Sequence, residues 1–154
     1  MLVLRIGLLP LALALLLGAA PNDATPTDTR KLTPKALAAA IYYRAGGADL
    51  RALCRSECGL IGNSELRSFC RGDCGMIQAS ESRSACRSEC GLIGDSDLRS
   101  LCRGDCGLVG NADLRAFCRN DCGLVGDANL RSYCRSDCGL ISTVAQTLRS
   151  DATK

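Results

Sequence analysis

Residues 97–112 read DLRSLCRGDCGLVGNA, and the fold is decided by how often this unit returns. With small changes this unit recurs at a sixteen-residue period six times over about residues 48–141, the last copy losing the pattern soon after Cys138. The consensus is an acid, Leu, Arg, a small residue, an apolar residue, Cys, Arg, any residue, an acid, Cys, Gly, Leu, Ile or Val, Gly, Asn or Asp, and a small residue. The first cysteines are Cys54, Cys70, Cys86, Cys102, Cys118 and Cys134. The second are Cys58, Cys74, Cys90, Cys106, Cys122 and Cys138. A fixed short period is the mark of a repeat array, in which each unit buries its apolar side only against its neighbours.

Each unit reads as one short helix. Asn63, Asp95, Asn111 and Asp127 suit an N-cap, where a short side-chain oxygen accepts from a free amide of the first turn. Gly59, Gly75, Gly91, Gly107, Gly123 and Gly139 follow each second cysteine and suit a left-handed helix end. These caps predict helices of about ten to eleven residues, joined by loops such as Gly-Leu-Ile-Gly-Asn. In the first unit Leu50, Leu53, Cys54 and Cys58 share the i, i+3, i+4, i+8 apolar face of a helix. Alternation of the strand type is absent. The fold class is therefore all-α: a disulfide-rich tandem array of six sixteen-residue short-helix repeats, as an α-solenoid or as stacked helical hairpins.

The rest of the chain divides around the array. Residues 1–20 carry Arg5, an apolar run and Gly18-Ala19-Ala20, the pattern of a signal peptide. The apolar stretch is shorter than the ~20 residues of a spanning helix, so no stable membrane span is expected after signal removal. Residues 21–33 are polar, rich in Pro and Thr, and read as a flexible linker. Thr33-Pro34 suits an N-cap with proline in the first turn, so residues 34–47 are expected to form an N-terminal cap helix for the array. Residues 142–154 are expected to form a C-terminal cap and tail. Repeat three departs from consensus at Met76 to Ser82, and Ala85 replaces the bulky apolar residue; a weaker helix or hinge is expected there.

Export sets the cysteine chemistry. Twelve cysteines in a secreted or periplasmic chain read as disulfides. With no Trp, two Phe and three Tyr, an apolar core alone would be marginal, and cross-links are expected to supply the difference. A ladder joining each second cysteine to the next repeat's first would leave Cys54 and Cys138 without sequential partners. The Cys-x3-Cys…Cys-x3-Cys spacing is similar to that of the α-hairpinin family of plant defence peptides, two antiparallel helices bridged first to fourth and second to third. The resemblance covers the cysteine spacing only and implies Cys54–Cys74 and Cys58–Cys70. It also implies antimicrobial or protease-inhibitor roles for that family, neither of which is carried over. Spacing alone leaves the connectivity open.

Other chemistries are weighed on the same residues. Inward-facing thiolate pairs would suit Cu(I) storage, yet the array has no His and few Met; no metal site and no cofactor are assigned. Without His, a Ser-His or Cys-His centre is excluded, and the protein is read as no enzyme. Arg71-Gly72-Asp73 and Arg103-Gly104-Asp105 resemble the tripeptide read by integrin receptors, but the spacing places them in helices. Two arginines stand in each repeat: Arg51 and Arg55, Arg67 and Arg71, Arg83 and Arg87, Arg99 and Arg103, Arg115 and Arg119, Arg131 and Arg135. Acids nearly balance them, which favours a salt-bridge ladder over an anion-binding face. The net charge of +3 is too mild for nucleic acid. The expected role is a non-enzymatic scaffold or binding module. Its partner is unknown, an extracellular protein or an anionic surface being the class the arginine rows suggest. The alternatives are thiolate metal sequestration and a secreted defence or toxin-like hairpin array.

Overall fold

The computed structural model describes residues 32–143; the expected signal peptide, most of the linker and the tail beyond Thr143 lie outside them. The described chain is all-helical: α1 (Pro34–Tyr42), α2 (Gly47–Cys54), α3 (Ser64–Arg71), α4 (Ser80–Cys86), α5 (Ser96–Arg103), α6 (Ala112–Cys118) and α7 (Ala128–Cys134). A 3-10 turn follows each of α2 to α7, beginning at the repeat's second cysteine, as in Cys58–Leu60 and Cys106–Leu108.

The repeat helices have seven or eight residues, shorter than the cap positions suggest. The left-handed residue is not the glycine after the second cysteine. It stands two positions after the first cysteine, as Ser56, Gly72, Ser88, Gly104, Asn120 and Ser136. Each ends its helix in a Schellman motif. In α3, Gly72 N–H reaches the Phe69 carbonyl at 3.1 Å and Asp73 N–H reaches Ser68 at 2.9 Å. The second cysteine is thereby taken out of the helix and into the 3-10 turn, which breaks the expected Cys54/Cys58 shared face. The N-caps stand as read: Asn63, Asp95, Asn111 and Asp127 accept from the amides of Leu66, Leu98, Leu114 and Leu130. Thr33 caps α1 through the Ala36 amide.

Each 3-10 turn packs on the helix before it and the helix after it. The chain thus returns along the outside after every helix, and the six repeat helices run parallel. The array closes on itself. α2 packs against α3 on one side and α7 on the other, and the 3-10 turn Cys138–Leu140 packs on α2. The closure repeats the internal register. Arg67, Arg83, Arg99, Arg115 and Arg131 each donate to the carbonyl six residues earlier, Ile61, Ile77, Ile93, Val109 and Val125. For Arg51 that residue would be Ala45. Ile141, six repeats beyond Ala45, supplies the carbonyl instead. A Cβ at Gly47 would collide with the Ser142 carbonyl, so the seam needs a glycine.

The first helix is not an end cap. α1 packs against α2, α3, α4, α5 and α7, and Leu37, Ala38 and Ala39 are almost wholly buried. It fills the middle of the ring, because a closed array has no end to cover. It runs antiparallel to the repeat helices. Lys35 near its start bonds Ser56 at the end of α2, and Tyr42 at its end bonds Glu65 and Ser82 in the first turns of α3 and α4. Opposed helix dipoles favour this direction.

Repeat three forms a helix, α4, as long as α6 and α7, although Ala79 gives it no side-chain cap, as its departure from consensus leads one to expect. Its small residues make room. Ser82 and Ala85 are buried, and the Tyr42 hydroxyl lies 3.2 Å from Ser82 Oγ. α1 makes its most extensive contacts with α3 and α4.

Two neighbouring positions of the 3-10 segment have opposite fates in every repeat. Ile61, Ile77, Ile93, Val109, Val125 and Ile141 are fully buried, whereas Leu60, Met76, Leu92, Leu108, Leu124 and Leu140 are 72–76 % exposed. Ile93→Ala is expected to cost about 2–5 kcal/mol, and Leu92→Ala to change stability by no more than about 0.5 kcal/mol. Urea unfolding of the two variants measures the contrast.

Burial raises the phenols of all three tyrosines, Tyr42, Tyr43 and Tyr133, and that of Tyr133 reaches about 12. Tyr133 also donates to the Lys35 carbonyl at 3.2 Å. The unfolded chain loses these protons near pH ~10, before the folded one. The stability they contribute is therefore full below pH ~10 and falls as pH rises toward 12. Absorbance at the phenolate band should show Tyr133 titrating last, with thermal stability declining over that interval.

Candidate functional surfaces

All twelve cysteines are paired. Five bridges are sequential: Cys58–Cys70, Cys74–Cys86, Cys90–Cys102, Cys106–Cys118 and Cys122–Cys134, each separated by 12 residues. The sixth joins Cys54 to Cys138 across 84 residues. Every pair has a Cα–Cα distance of 5.5 to 5.6 Å, within the range a disulfide spans. The hairpin pairing implied by the α-hairpinin spacing fails at Cys54–Cys74, because parallel neighbours bring a second cysteine beside the next first one. The two cysteines that a ladder leaves over bond each other, since the ring brings the first and last repeats together.

A second linkage runs alongside the sulfur. The acid that opens each repeat stands in the first turn of its helix and reaches forward to the amides at the start of the next helix. Asp49 accepts from Gly62 and Asn63 at 2.7 and 2.9 Å. Glu65, Glu81, Asp97 and Asp113 do the same thirteen and fourteen residues on. In the sixth repeat Asn129 replaces the acid and accepts from the Ser142 amide at 2.9 Å. Asn129 is buried, and an amide there meets the need without burying a charge. These opening acids thus bind backbone amides rather than arginines, and the first arginine of each repeat spends its guanidinium on a backbone carbonyl. The expected ladder of acid–arginine pairs is a ladder of side-chain-to-backbone bonds instead.

The second arginines, Arg55, Arg71, Arg87, Arg103, Arg119 and Arg135, are exposed at the helix C-termini, where cations complement the dipole. Arg71-Gly72-Asp73 is exposed at one of these ends and is not helix interior. Its glycine has φ 78°, so the turn geometry accounts for the residue without a receptor. The exposed Leu and Met side chains form an apolar belt on the outer layer. Neither the belt nor the forward-reaching acids were singled out by sequence reading. The acid's fixed distance from the next cap was the available signal for the latter.

No helix among the described residues is long and apolar enough to cross a membrane. Six intrachain disulfides fit an oxidising, extracytoplasmic compartment. Comparison with protein-family models, curated proteins and solved structures gives no match.

The seam bridge has a calculable weight. The five sequential bridges act as short cuts, so Cys54–Cys138 closes an effective loop of about thirty residues rather than the full span, for a chain-entropy stabilisation of about 3.5 kcal/mol. The double substitution Cys54→Ser, Cys138→Ser should lower unfolding free energy by about that amount while the other five bridges form. Peptide mapping and hydrogen exchange should show the loss first at Arg51 and Asn129, beside the seam.

Proposed function

We propose that this chain is an exported, non-enzymatic scaffold or binding module, released by removal of residues 1–20 and working outside the cytoplasm. The observation that carries this reading is the closed ring, in which every cysteine is spent on a cross-link between adjacent repeats. Such a body resists proteolysis because opening it requires several bridges to break together. The exposed belt and the six outward arginines offer repeated contacts to an extracellular protein or an anionic surface, each weak and effective in number.

Cu(I) sequestration is less well supported, since thiolate is the ligand form and the oxidised chain has no free cysteine among its described residues. A processed defence array is less well supported too. Cutting between 32-residue units would separate cysteines that the sequential bridges and the seam tie together.

The purified exported chain should titrate with no free thiol and show an intact mass twelve hydrogens below the reduced value. It should withstand trypsin until dithiothreitol is added in metal-free buffer, then lose helicity by circular dichroism. Unchanged helicity and melting temperature after full reduction would falsify the reading, as would free thiols that take up Cu(I) stoichiometrically.

A further inference from the structure

The ring has near-sixfold symmetry, but the single helix inside it does not. The first leucine position of each repeat shows the consequence. Leu50, Leu66 and Leu130 are fully buried, and Ser82 at the same position is buried under Tyr42. Leu98 and Leu114 are only partly buried. α1 leans toward α3 and α4, where repeat three has given up its bulky side chains. On the far side it leaves a crevice of about 240 Å³ between itself, α5 and α6. Ala40 and Ile41 of α1 form one wall and Leu98, Leu101 and Leu114 the other, with Glu81 and Asp95 lining it as well.

The two carboxylates are half engaged. Glu81 Oε1 accepts from the Gly94 and Asp95 amides, both at 3.0 Å. Asp95 Oδ1 accepts from Leu98 N–H at 2.7 Å. That leaves Glu81 Oε2 and Asp95 Oδ2 without a protein donor among the described residues. No lysine or arginine lines the crevice. An apolar hollow of ~150 Å³ already holds a benzene ring, so this one has room for an aromatic ring and a short chain.

We propose that the crevice is a binding site for a small primary ammonium ion with an aromatic or compact alkyl body. The body covers Leu98 and Leu114, and the ammonium donates to the free oxygens of Glu81 and Asp95. The proposal deepens the binding-module half of the reading above and rests on it. Repeat three then has a role beyond tolerance: its small residues seat α1 to one side and so open the site.

The test is a titration of the full exported chain, followed by amide chemical shifts, with 2-phenylethylammonium, phenylacetate and toluene as probes. The expected result is saturable shifts at Leu98, Leu101 and Leu114 with the ammonium probe at about millimolar half-saturation, and none with phenylacetate. Glu81→Gln with Asp95→Asn keeps both backbone acceptors, as Asn63 and Asn111 do at other caps, and removes the charge. That variant should bind the ammonium probe about three- to tenfold more weakly. Leu114→Phe should fill the crevice and abolish binding with no loss of melting temperature. Equal binding of phenylacetate in the unaltered protein overturns the proposal, and so does the absence of saturable shifts with every probe. Undiminished ammonium binding in the charge-removed variant does the same. A protein that passes the protease and reduction tests yet binds no probe refutes the crevice alone and leaves the scaffold standing.

Discussion

Closure is the constraint on which the rest of the molecule depends. Six parallel helices of two turns each have little to hold them singly, since isolated helices this short are unstable in water. An open array would leave the inner face of its first and last units uncovered. Bringing α2 against α7 removes both ends at once. Arg51 then finds the Ile141 carbonyl, Asn129 the Ser142 amide, and Cys54 the Cys138 sulfur. Three chemically independent interactions in register at one seam show that closure belongs to the repeat geometry and is not imposed by one cross-link.

Sulfur and side-chain-to-backbone bonds share the work that a larger core would do. The buried residues are mostly small or medium: alanines on α1, one Ile or Val per 3-10 segment, and a Leu or Phe pair in the better-filled repeats. Each sequential bridge closes a short loop and contributes roughly 3 kcal/mol in the chain-entropy picture. The carboxylates that reach thirteen residues forward satisfy amides that would otherwise face only water. Because donor and acceptor sit at the starts of successive helices, these bonds fix the helix spacing at the end opposite the disulfides.

Much of this was legible in the sequence where the cause is local. The period gave the repeat, and Asn63, Asp95, Asn111 and Asp127 marked helix starts because an N-cap needs only its own side chain and an amide three residues on. Helix ends were misplaced for a physical reason. Gly59 and its equivalents attract attention as helix-ending glycines, but the left-handed position falls at Ser56 or Gly72, and four of its six occupants are not glycine. The partner of Cys54 was hidden because it depends on curvature, which a sixteen-residue period does not specify. The place of α1 was hidden for the same reason: an amphipathic, alanine-rich helix before an array reads as a lid unless the array is known to close.

The deviant repeat follows from geometry once the ring is closed around a helix. A single α-helix turns every 3.6 residues and cannot offer six equivalent faces to six equivalent neighbours. A sixfold ring with large residues at every inner position would have no room for it, and one with small residues throughout would leave it loose. Concentrating the small residues in one repeat resolves the mismatch. Ser82 and Ala85 let α1 seat firmly on one side, with Tyr42 anchored to Glu65 and Ser82, while α6 on the far side keeps its Leu and Phe. The break in symmetry at residues 78–85 is therefore where the repeat yields to the helix it surrounds, and the uncovered side chains of Leu98 and Leu114 are the complement of that concession.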